Sequence, residues 1–276
     1  MRVGIIGLGL IGGSLGLALR AAGWHVRGWD VDPHVRAEAV GCGAVDTLSS
    51  DPAECDLIVL ATPVRAALAL LRDLAGQVRS GQIITDVCST KSVICREAEQ
   101  CLPQGVWFVG GHPFAGRAEG GIVMARADLF QGAAWVLTSA APVRQQVEQM
   151  VWAVGARPVI MAAAAHDRLA AAISHLPQLT AVALVNATAK RVQEESLGLA
   201  GGGWRDTTRI AASPADIWLD ILLTNRAPVL AACDQLLQEL QSLRQAIVNA
   251  EEDDLRHMLQ KAAQIRRLVG PKGERL

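Results

Sequence analysis

The chain has 276 residues, a length that fits two domains of ordinary size, and 51% of them are hydrophobic while 19% are charged. This composition is typical of a packed core and excludes an intrinsically disordered protein. Because the formal net charge is −1 and no block of like charge occurs, the sequence predicts neither a nucleic-acid partner nor a membrane partner.

An apolar run at the N-terminus leads directly into a glycine-rich turn. The residues before Gly7 predict a buried strand, the segment 10–20 predicts a helix, and G-x-G-x-x-G lies between them. In a dinucleotide site such glycines make the tight turn, let the backbone approach the pyrophosphate and let helix and strand pack closely, while the helix N-terminus faces the phosphates. The residues predicted to bind the dinucleotide here are Gly7, Gly9, Leu10, Ile11 and Gly12.

The second predicted strand, residues 25–29, is followed by an acidic residue, Asp30, eighteen positions after Gly12. An acid at about this distance binds the 2′-hydroxyl of the adenosine ribose of NAD and repels the 2′-phosphate of NADP. Asp30 therefore predicts NAD, while Arg27 and Arg36 leave NADP open because either side chain could reach a 2′-phosphate.

Strand patterns alternate with helix patterns over the first 160 residues. Strands over 57–61, 82–85, 106–109, 134–137 and 158–161 are separated by helices over 65–74, 92–102 and 143–154. This alternation predicts an α/β Rossmann-type doubly wound parallel sheet in a dinucleotide-binding domain of residues 1–161.

Ligands of such sheets bind beyond the carboxyl ends of the strands. Thr62 and Pro63 follow one predicted strand, Ser89 lies in the loop after the next, and His112 lies in the loop 110–116. We therefore expect these residues on one rim with the glycine turn, with Thr62, Pro63 and Ser89 close enough to contact the cofactor.

From residue 162 the pattern changes to helices alone, which predicts an all-α helical domain of residues 162–276. Its first predicted helix spans 162–191. The nearest approach to a membrane span, residues 162–185, lies within it and is interrupted by charged residues, histidines and a proline. Apolar residues from Leu230 to Ile247 recur at steps of three and four and form one stripe. Because a lone bundle does not need so much apolar surface, we predict a homodimer through this domain.

Six cysteines are scattered without the spacing of a metal site or a C-x-x-C pair. We therefore predict no metal site and reduced thiols. The apolar N-terminus is interrupted by glycines and lacks a convincing cleavage site, so it does not predict a signal peptide. Together these features predict a cytoplasmic protein.

His112 is the first candidate catalytic residue. It lies between glycines and a proline at a strand end facing the cofactor, a position that favours a general base over a core residue. A histidine base would make turnover fall at acid pH in the ordinary histidine range. Ser89 either hydrogen-bonds this imidazole or the nicotinamide amide, or N-caps the helix that follows, and the two interpretations are compatible.

The helical domain offers a second polar set. His175 lies in an apolar helical context that suits a satisfied core histidine as well as a ligand contact. Arg205 and Arg209 are four residues apart, which predicts one helical face, with Asp206 beside them. Arginines bind carboxylates bidentately. The alternative is that these charged residues form the solvent-exposed first turn of a helix and bind no ligand. With a cofactor and a histidine base, this set indicates a small carboxylated alcohol that loses hydride.

Five segments together resemble the prephenate/arogenate (cyclohexadienyl) dehydrogenase family of tyrosine biosynthesis, in the family's order and spacing over almost the whole chain. They are 7–14 (GLGLIGGS), 86–91 (DVCSTK), 110–116 (GGHPFAG), 174–177 (SHLP) and 204–209 (WRDTTR). The resemblance implies a Rossmann domain followed by a helical dimerisation domain. It also implies NAD(P)-dependent oxidative decarboxylation of prephenate or arogenate to 4-hydroxyphenylpyruvate or tyrosine.

On matching positions, the resemblance implies that His112 takes the proton of the ring hydroxyl while hydride leaves the same carbon, with Ser89 positioning His112 and the nicotinamide. It implies that Arg209 binds a substrate carboxylate and that His175 meets the ring or side-chain end. Because helical domains of this family interlock, it also implies that Arg205 and Trp218 reach the neighbouring subunit's site.

The chain departs from the pattern at one position. Some members have a glutamate two residues after the glycine that matches Gly116, within a gating network of ion pairs. This chain has Ala118 there, with Glu119 next.

Two other classes of function share features with this sequence. A β-hydroxyacid dehydrogenase of the 6-phosphogluconate or hydroxyisobutyrate type shares the two-domain plan but uses a lysine on the first helix of the helical domain, where this chain has no lysine before Lys190. A non-catalytic nucleotide-sensing protein would not need His112, Ser89 and Arg209 together. The sequence does not distinguish prephenate from arogenate as the substrate.

Overall fold

The structure, a computed structural model, describes residues 1–51, 54–116, 120–138 and 142–268. Its strands are β1 (Arg2–Ile6), β2 (His25–Trp29), β3 (Thr47–Leu48), β4 (Leu57–Leu60), β5 (Ile83–Asp86), β6 (Trp107–Val109), β7 (Gly111–Pro113), β8 (Ala134–Leu137) and β9 (Arg157–Ile160). Its α-helices are α1 (Leu10–Ala21), α2 (Pro33–Gly41), α3 (Val64–Ala75), α4 (Ser92–Cys101), α5 (Arg144–Ala153), α6 (Ala163–Ala170), α7 (Leu176–Ala189), α8 (Gly202–Thr208), α9 (Ala215–Thr224), α10 (Arg226–Val248) and α11 (Glu252–Arg267).

Six parallel strands form the main sheet in the order β3-β2-β1-β4-β5-β6. Along β4, Leu57 and Val59 pack into the core on one face, while Ile58 and Leu60 pack into the core on the other. Both faces are therefore buried, because successive side chains of a strand point to opposite sides. The predicted doubly wound parallel sheet followed by helices is confirmed, and the strand order reverses between β1 and β4, where ligands of such sheets bind.

The last three strands form a second sheet, in which β7 is antiparallel to β8 and β8 is parallel to β9. The predicted loop over 110–116 was therefore wrong at residues 111–113, where His112 pairs with Val136. The strand crosses very close to the end of β5, since a Cβ at Gly111 would lie 2.4 Å from the carbonyl oxygen of Asp86. The glycine lets β7 bring His112 to the rim of the main sheet.

The predicted long helix is interrupted by a π-helical turn, Ala171–His175, between α6 and α7. Pro177 has no N–H, so the carbonyl of Ile173 lacks its usual helical donor. The helix widens just before Pro177, where the N–H of Leu176 donates to the carbonyl of Ala171, five residues earlier in the chain. Such turns are frequent at functional sites.

By length and composition alone, the 27-residue stretch Ala163–Ala189 could cross a membrane. It carries His166, Asp167, His175 and Gln178, which are polar and buried inside the protein. Because polar groups are costly in a bilayer unless they face a protein interior, these four side chains favour a helix that packs within a folded domain, although only 28% of its most apolar window is buried.

The described chain divides into two compact units, Met1–Val229 and Leu230–Leu276. The sheet and the helices through α9 belong to the first unit, so the predicted boundary between residues 161 and 162 stays a prediction. In the second unit, several apolar side chains of the predicted stripe are more than half exposed: Leu230, Leu237, Leu240 and Ile247.

Candidate active site

A cleft of about 750 Å³ lies where the carboxyl ends of β1, β4 and β5 meet residues of α7, α9 and the turn that carries Arg209. The predicted site residues that line it are Gly9, Leu10, Ile11, Thr62, Pro63, Ser89, His112, Arg209 and Trp218. Residues predicted for cofactor and residues predicted for substrate therefore share one cleft.

The glycine turn at one end of the cleft has room for a ligand. Gly7 has a φ of +95°, which favours glycine, and a Cβ at Gly12 would lie 1.8 Å from the carbonyl oxygen of Gly7, so α1 packs directly on the turn. A Cβ at Gly9 would meet nothing within 4 Å, and the N-terminus of α1 has no side-chain cap. Open space in front of unpaired N–H groups fits the pyrophosphate of a dinucleotide.

Thr62 is a second indication that a ligand fits at this end of the cleft. Its hydroxyl oxygen is buried and has no hydrogen-bond partner within the described ranges. Buried polar atoms normally have partners. A bound molecule that contacts this rim would supply one.

Asp30 lies directly beside the turn. Its carboxylate accepts hydrogen bonds from the N–H of Leu8 at 2.8 Å and from the N–H of Asp32 at 3.0 Å. The carbonyl of Trp29 accepts from the N–H of Gly7 at 2.8 Å, which joins β2 to the turn. Asp30 is therefore held at the edge of the predicted dinucleotide site, as the sequence spacing indicated.

The two arginines that could favour NADP are placed differently. Arg27 is ion-paired with Glu54. Arg36 lies over the ring of Trp29, 4.4 Å from its centroid, and donates to the carbonyl of Asp30 at 2.6 Å. Of the two, Arg36 is the one that contacts Asp30, through the backbone carbonyl of that residue.

Asp86, at the end of β5, holds the loop that carries Ser89. Its fully buried carboxylate accepts from the N–H of Cys88 and of Gly111, each at 3.0 Å, and is ion-paired with the fully buried ammonium of Lys91. These bonds tie both ends of the loop together and tie the loop to β7. Ser89 consequently has a fixed backbone, and its half-buried side chain lines the cleft.

Asp167 of α6 caps the helix that follows this loop. Its carboxylate accepts from the N–H of Lys91 at 2.7 Å and from the N–H of Ser92, the first residue of α4, at 2.8 Å. The interpretation that Ser89 N-caps this helix was wrong, because the helix begins three residues later and a carboxylate already binds the free N–H groups.

Two histidines and a carboxylate form a chain of hydrogen bonds that ends in the cleft. Nδ1 of His112 lies 2.8 Å from Nε2 of His166, and Nδ1 of His166 lies 2.9 Å from Oδ1 of Asp167. His166 and Asp167 are buried, whereas His112 is half-buried and lines the cleft, with its ring 4.7 Å from that of Phe114. Nε2 is thus the nitrogen of His112 that remains for a ligand.

The surroundings keep His112 neutral. Burial lowers its pKa well below the ordinary value, and the positive charge of Lys91 acts in the same direction. Burial alone would raise the pKa of Asp167, but hydrogen bonds from His166, Ser92 and Lys91 outweigh it and hold that pKa at about 2. The expectation of an acidic limb in the ordinary histidine range is therefore corrected, and the limb should lie at lower pH.

Arg209 and Trp218 belong to the helical part of the cleft. Arg209 forms no ion pair with any residue in the described ranges and is free to bind an anion. Trp218 stands edge-on to His175, with 6.0 Å between ring centroids. His175 was predicted to meet the substrate, but it is buried, does not line the cleft, and lies 3.1 Å from Nδ2 of Asn225. Burial lowers its pKa to about 4, so it is neutral at physiological pH and supports Trp218.

Arg205 and Asp206 do not line the cleft of their own chain and are exposed. Arg205 lies in α8 and Arg209 begins the 3-10 turn that directly follows it, so the prediction that the two share one helical face stays a prediction. A contact of Arg205 or Trp218 with a neighbouring subunit stays a prediction. Ala118 and Glu119 lie outside the described residues.

Sequence reasoning missed several residues of the site. His166 and Asp167 stood out only as interruptions of an apolar helix, yet adjacent polar residues in such a context were the signal. Asn225 donates to the carbonyl of Asp167 at 2.8 Å. Gln178 lines the cleft one turn after His175, and its buried Oε1 has no partner in the described part of the chain.

Comparison with known proteins agrees with this arrangement. Residues 15–159 match the family model for the nucleotide-binding domain of prephenate dehydrogenase, and residues 162–261 match the model for its dimerization domain. The prephenate dehydrogenase of Bacillus subtilis is 34% identical over 91% of this chain and 71% of its own length.

Two solved structures share the whole fold. The Aquifex aeolicus prephenate dehydrogenase in complex with hydroxyphenyl propionate and NAD+ superposes with a TM-score of 0.91 at 29% identity and covers 98% of each chain. The arogenate dehydrogenase of Synechocystis has a TM-score of 0.83 at 31% identity and covers 96% of this chain and 99% of its own.

Proposed function

The chain belongs to the prephenate dehydrogenase family, and we propose that it oxidatively decarboxylates prephenate or arogenate with NAD(P)+. One observation carries the proposal: His112 shares a cleft with the open glycine turn at Gly9 and with Arg209, which forms no ion pair within the described ranges. The products are CO₂ and either 4-hydroxyphenylpyruvate or tyrosine. Because the six cysteines are all free and the relatives are bacterial, we place the enzyme in the cytoplasm.

In this mechanism His112 is the general base. The dinucleotide, when bound, supplies the hydride acceptor, and Gly9, Leu10 and Ile11 are the residues that would hold its pyrophosphate. Nε2 of His112 takes the proton of the ring hydroxyl as the hydroxyl-bearing carbon is oxidised. Loss of CO₂ then makes the ring aromatic, which drives the reaction forward.

The other cleft residues bind and orient. The guanidinium of Arg209 binds a substrate carboxylate through charge-assisted hydrogen bonds, and Trp218 offers an apolar wall to the ring. Ser89 lies on the loop fixed by Asp86, where its hydroxyl can orient either the hydroxyl of the substrate or the imidazole of His112. Holding the reacting groups in this geometry supplies part of the rate enhancement.

The purified protein should reduce a nicotinamide dinucleotide when given prephenate or arogenate. Formation of NADH or NADPH is followed for each of the four combinations of substrate and cofactor. No reduction in any combination would contradict the proposal. Turnover of a β-hydroxy acid in its place would support the alternative dehydrogenase class.

The wild type should prefer NAD, and Asp30→Ser should lower kcat/KM for NAD by roughly 10- to 100-fold, because the variant loses a carboxylate that binds the ribose 2′-hydroxyl. The same variant should gain activity with NADP, since Arg36 beside it is then unopposed for a 2′-phosphate. Adding Arg36→Ala should cancel that gain. Asp32→Ser is the matched control, because serine can still cap α2.

The measured quantity is the ratio of kcat/KM for NAD to that for NADP. A wild-type preference for NADP would overturn the assignment of Asp30. An equal loss in Asp32→Ser would show that the effect comes from the backbone of this turn and not from the Asp30 carboxylate.

We propose that the enzyme is a homodimer through its helical domain. The exposed apolar side chains of α10 support this, as does the match to a dimerization domain. Light scattering should give twice the chain mass of 29.2 kDa, and the double variant Leu237→Asp/Leu240→Asp should shift the protein toward monomer. A wild type that is monomeric and fully active would contradict the proposal.

A further inference from the structure

His166 and Asp167 are buried and do not line the cleft, yet they are hydrogen-bonded in series to the residue that acts there. We infer that Asp167, acting through His166, fixes the tautomer of His112 so that its Nε2 faces the cleft unprotonated. His166 and Asp167 are then positioning residues. The inference rests on the proposed function only in taking His112 as the base.

Asp167 is the fixed end of this chain of hydrogen bonds. Its carboxylate accepts the N–H groups of Lys91 and Ser92, and these hydrogen bonds keep it ionised at neutral pH by lowering its pKa to about 2. An ionised carboxylate can only accept hydrogen bonds. The contact of 2.9 Å with Nδ1 of His166 therefore requires a proton on that nitrogen.

The tautomer of His166 in turn fixes the tautomer of His112. A neutral imidazole with a proton on Nδ1 presents a lone pair on Nε2. Nε2 of His166 then accepts, so Nδ1 of His112 must donate across the 2.8 Å contact. Nε2 of His112 is left with its lone pair, the form a base needs to take a hydroxyl proton. With the opposite tautomer, Nε2 would carry a proton and could not act.

The hydrogen bonds from Asp167 through His166 also stabilise the protonated form of His112. When Nε2 of His112 gains a proton, the ring becomes a cation, and its Nδ1–H bond to His166 becomes charge-assisted. Asp167 lies one ring away and offsets the new charge, whereas the ammonium of Lys91 opposes it. Asp86 contributes less, because Lys91 already neutralises it. The proton remains on His112 and is not passed to Asp167.

The tautomer can be read directly by NMR on protein labelled with ¹⁵N at histidine, with His112→Asn identifying the signals of that ring. In the wild type we expect the proton of His112 on Nδ1 and an unprotonated Nε2. In Asp167→Asn the amide can donate to Nδ1 of His166, which reverses both rings and should lower kcat by about 10²-fold. A wild-type proton on Nε2 of His112 would overturn the inference.

Because Asp167 also caps α4, variants of His166 separate positioning from folding. The amide of His166→Gln can occupy the place of Nε2 and accept from His112, whereas His166→Leu leaves Nδ1 of His112 without an acceptor. We expect His166→Gln to keep most of kcat and His166→Leu to lose about 10- to 100-fold, with KM little changed in both. His25→Gln is the control, since His25 is exposed at the opposite end of β2 from the cleft.

Equal kcat losses in the Gln and Leu variants, matched by equal losses in melting temperature, would show a merely structural role and overturn the inference. Full activity of His166→Leu would overturn it as well. The outcome is distinct from that of the proposed function: a wild type without turnover contradicts the function, while the NMR signals still report the tautomer.

Discussion

Replacing His112 by asparagine should lower kcat by roughly 10²–10⁴-fold while KM changes little. The asparagine amide can take the place of Nδ1 and keep the hydrogen bond to His166, so the packing of β7 against the rim is preserved. It offers no group at the position of Nε2 that can accept a proton. The variant therefore removes the base and leaves the binding surface intact.

The pH dependence gives an independent check. Wild-type kcat should be constant while His112 is neutral and should fall as pH falls through its pKa, because the protonated ring cannot accept a proton. Burial lowers that pKa well below the ordinary histidine value, so the fall should occur at lower pH than a free histidine would give. The acidic limb should be absent from the residual activity of His112→Asn.

A matched control is His25→Asn, which changes an exposed histidine far from the cleft and should leave kcat unchanged. Near-normal turnover in His112→Asn, or an unchanged acidic limb, would mean that the base is another residue. His175 would then be the next candidate, as the histidine that contacts Trp218 of the cleft.

The main sheet was predictable because its strands are short unbroken apolar runs flanked by helical patterns. Leu57–Leu60 is buried on every side chain, as a central parallel strand should be. β7 was not predictable, because Gly-His-Pro has no strand pattern and the strand exists only through its pairing with β8, more than twenty residues later. Local sequence does not carry such long-range pairing.

The same distinction applies to the site. Gly9, Ser89, His112 and Arg209 lie in motifs that the sequence shows directly, and all of them line the cleft. The hydrogen-bond partner of His112 is His166, which is 54 residues away in sequence. The folded structure brings the two together by packing α6 beside β7, and no local pattern predicts that contact. Arg205, four residues before Arg209, does not line the cleft of its own chain, which the spacing alone could not show.

The second large effect is expected at Arg209. Arg209→Ala should raise KM by roughly 10- to 100-fold, because it removes a charged partner whose hydrogen bonds to a carboxylate contribute about 1.5–3 kcal/mol. Since the carboxylate is bound both before and during the reaction, the main loss should be in KM, with any fall in kcat arising from misplacement of the ring. Steady-state kinetics over a range of substrate concentrations separates the two.

Arg191→Ala is the matched control, because Arg191 is an exposed arginine just after α7 that does not line the cleft. Arg209→Lys refines the test: it keeps the charge but loses the planar fork, so its KM should lie between those of the wild type and the alanine variant. If Arg209→Ala instead lowers kcat with KM unchanged, Arg209 acts only in the transition state. If neither constant changes, the carboxylate is bound elsewhere, and Arg205 of a neighbouring subunit becomes the residue to replace.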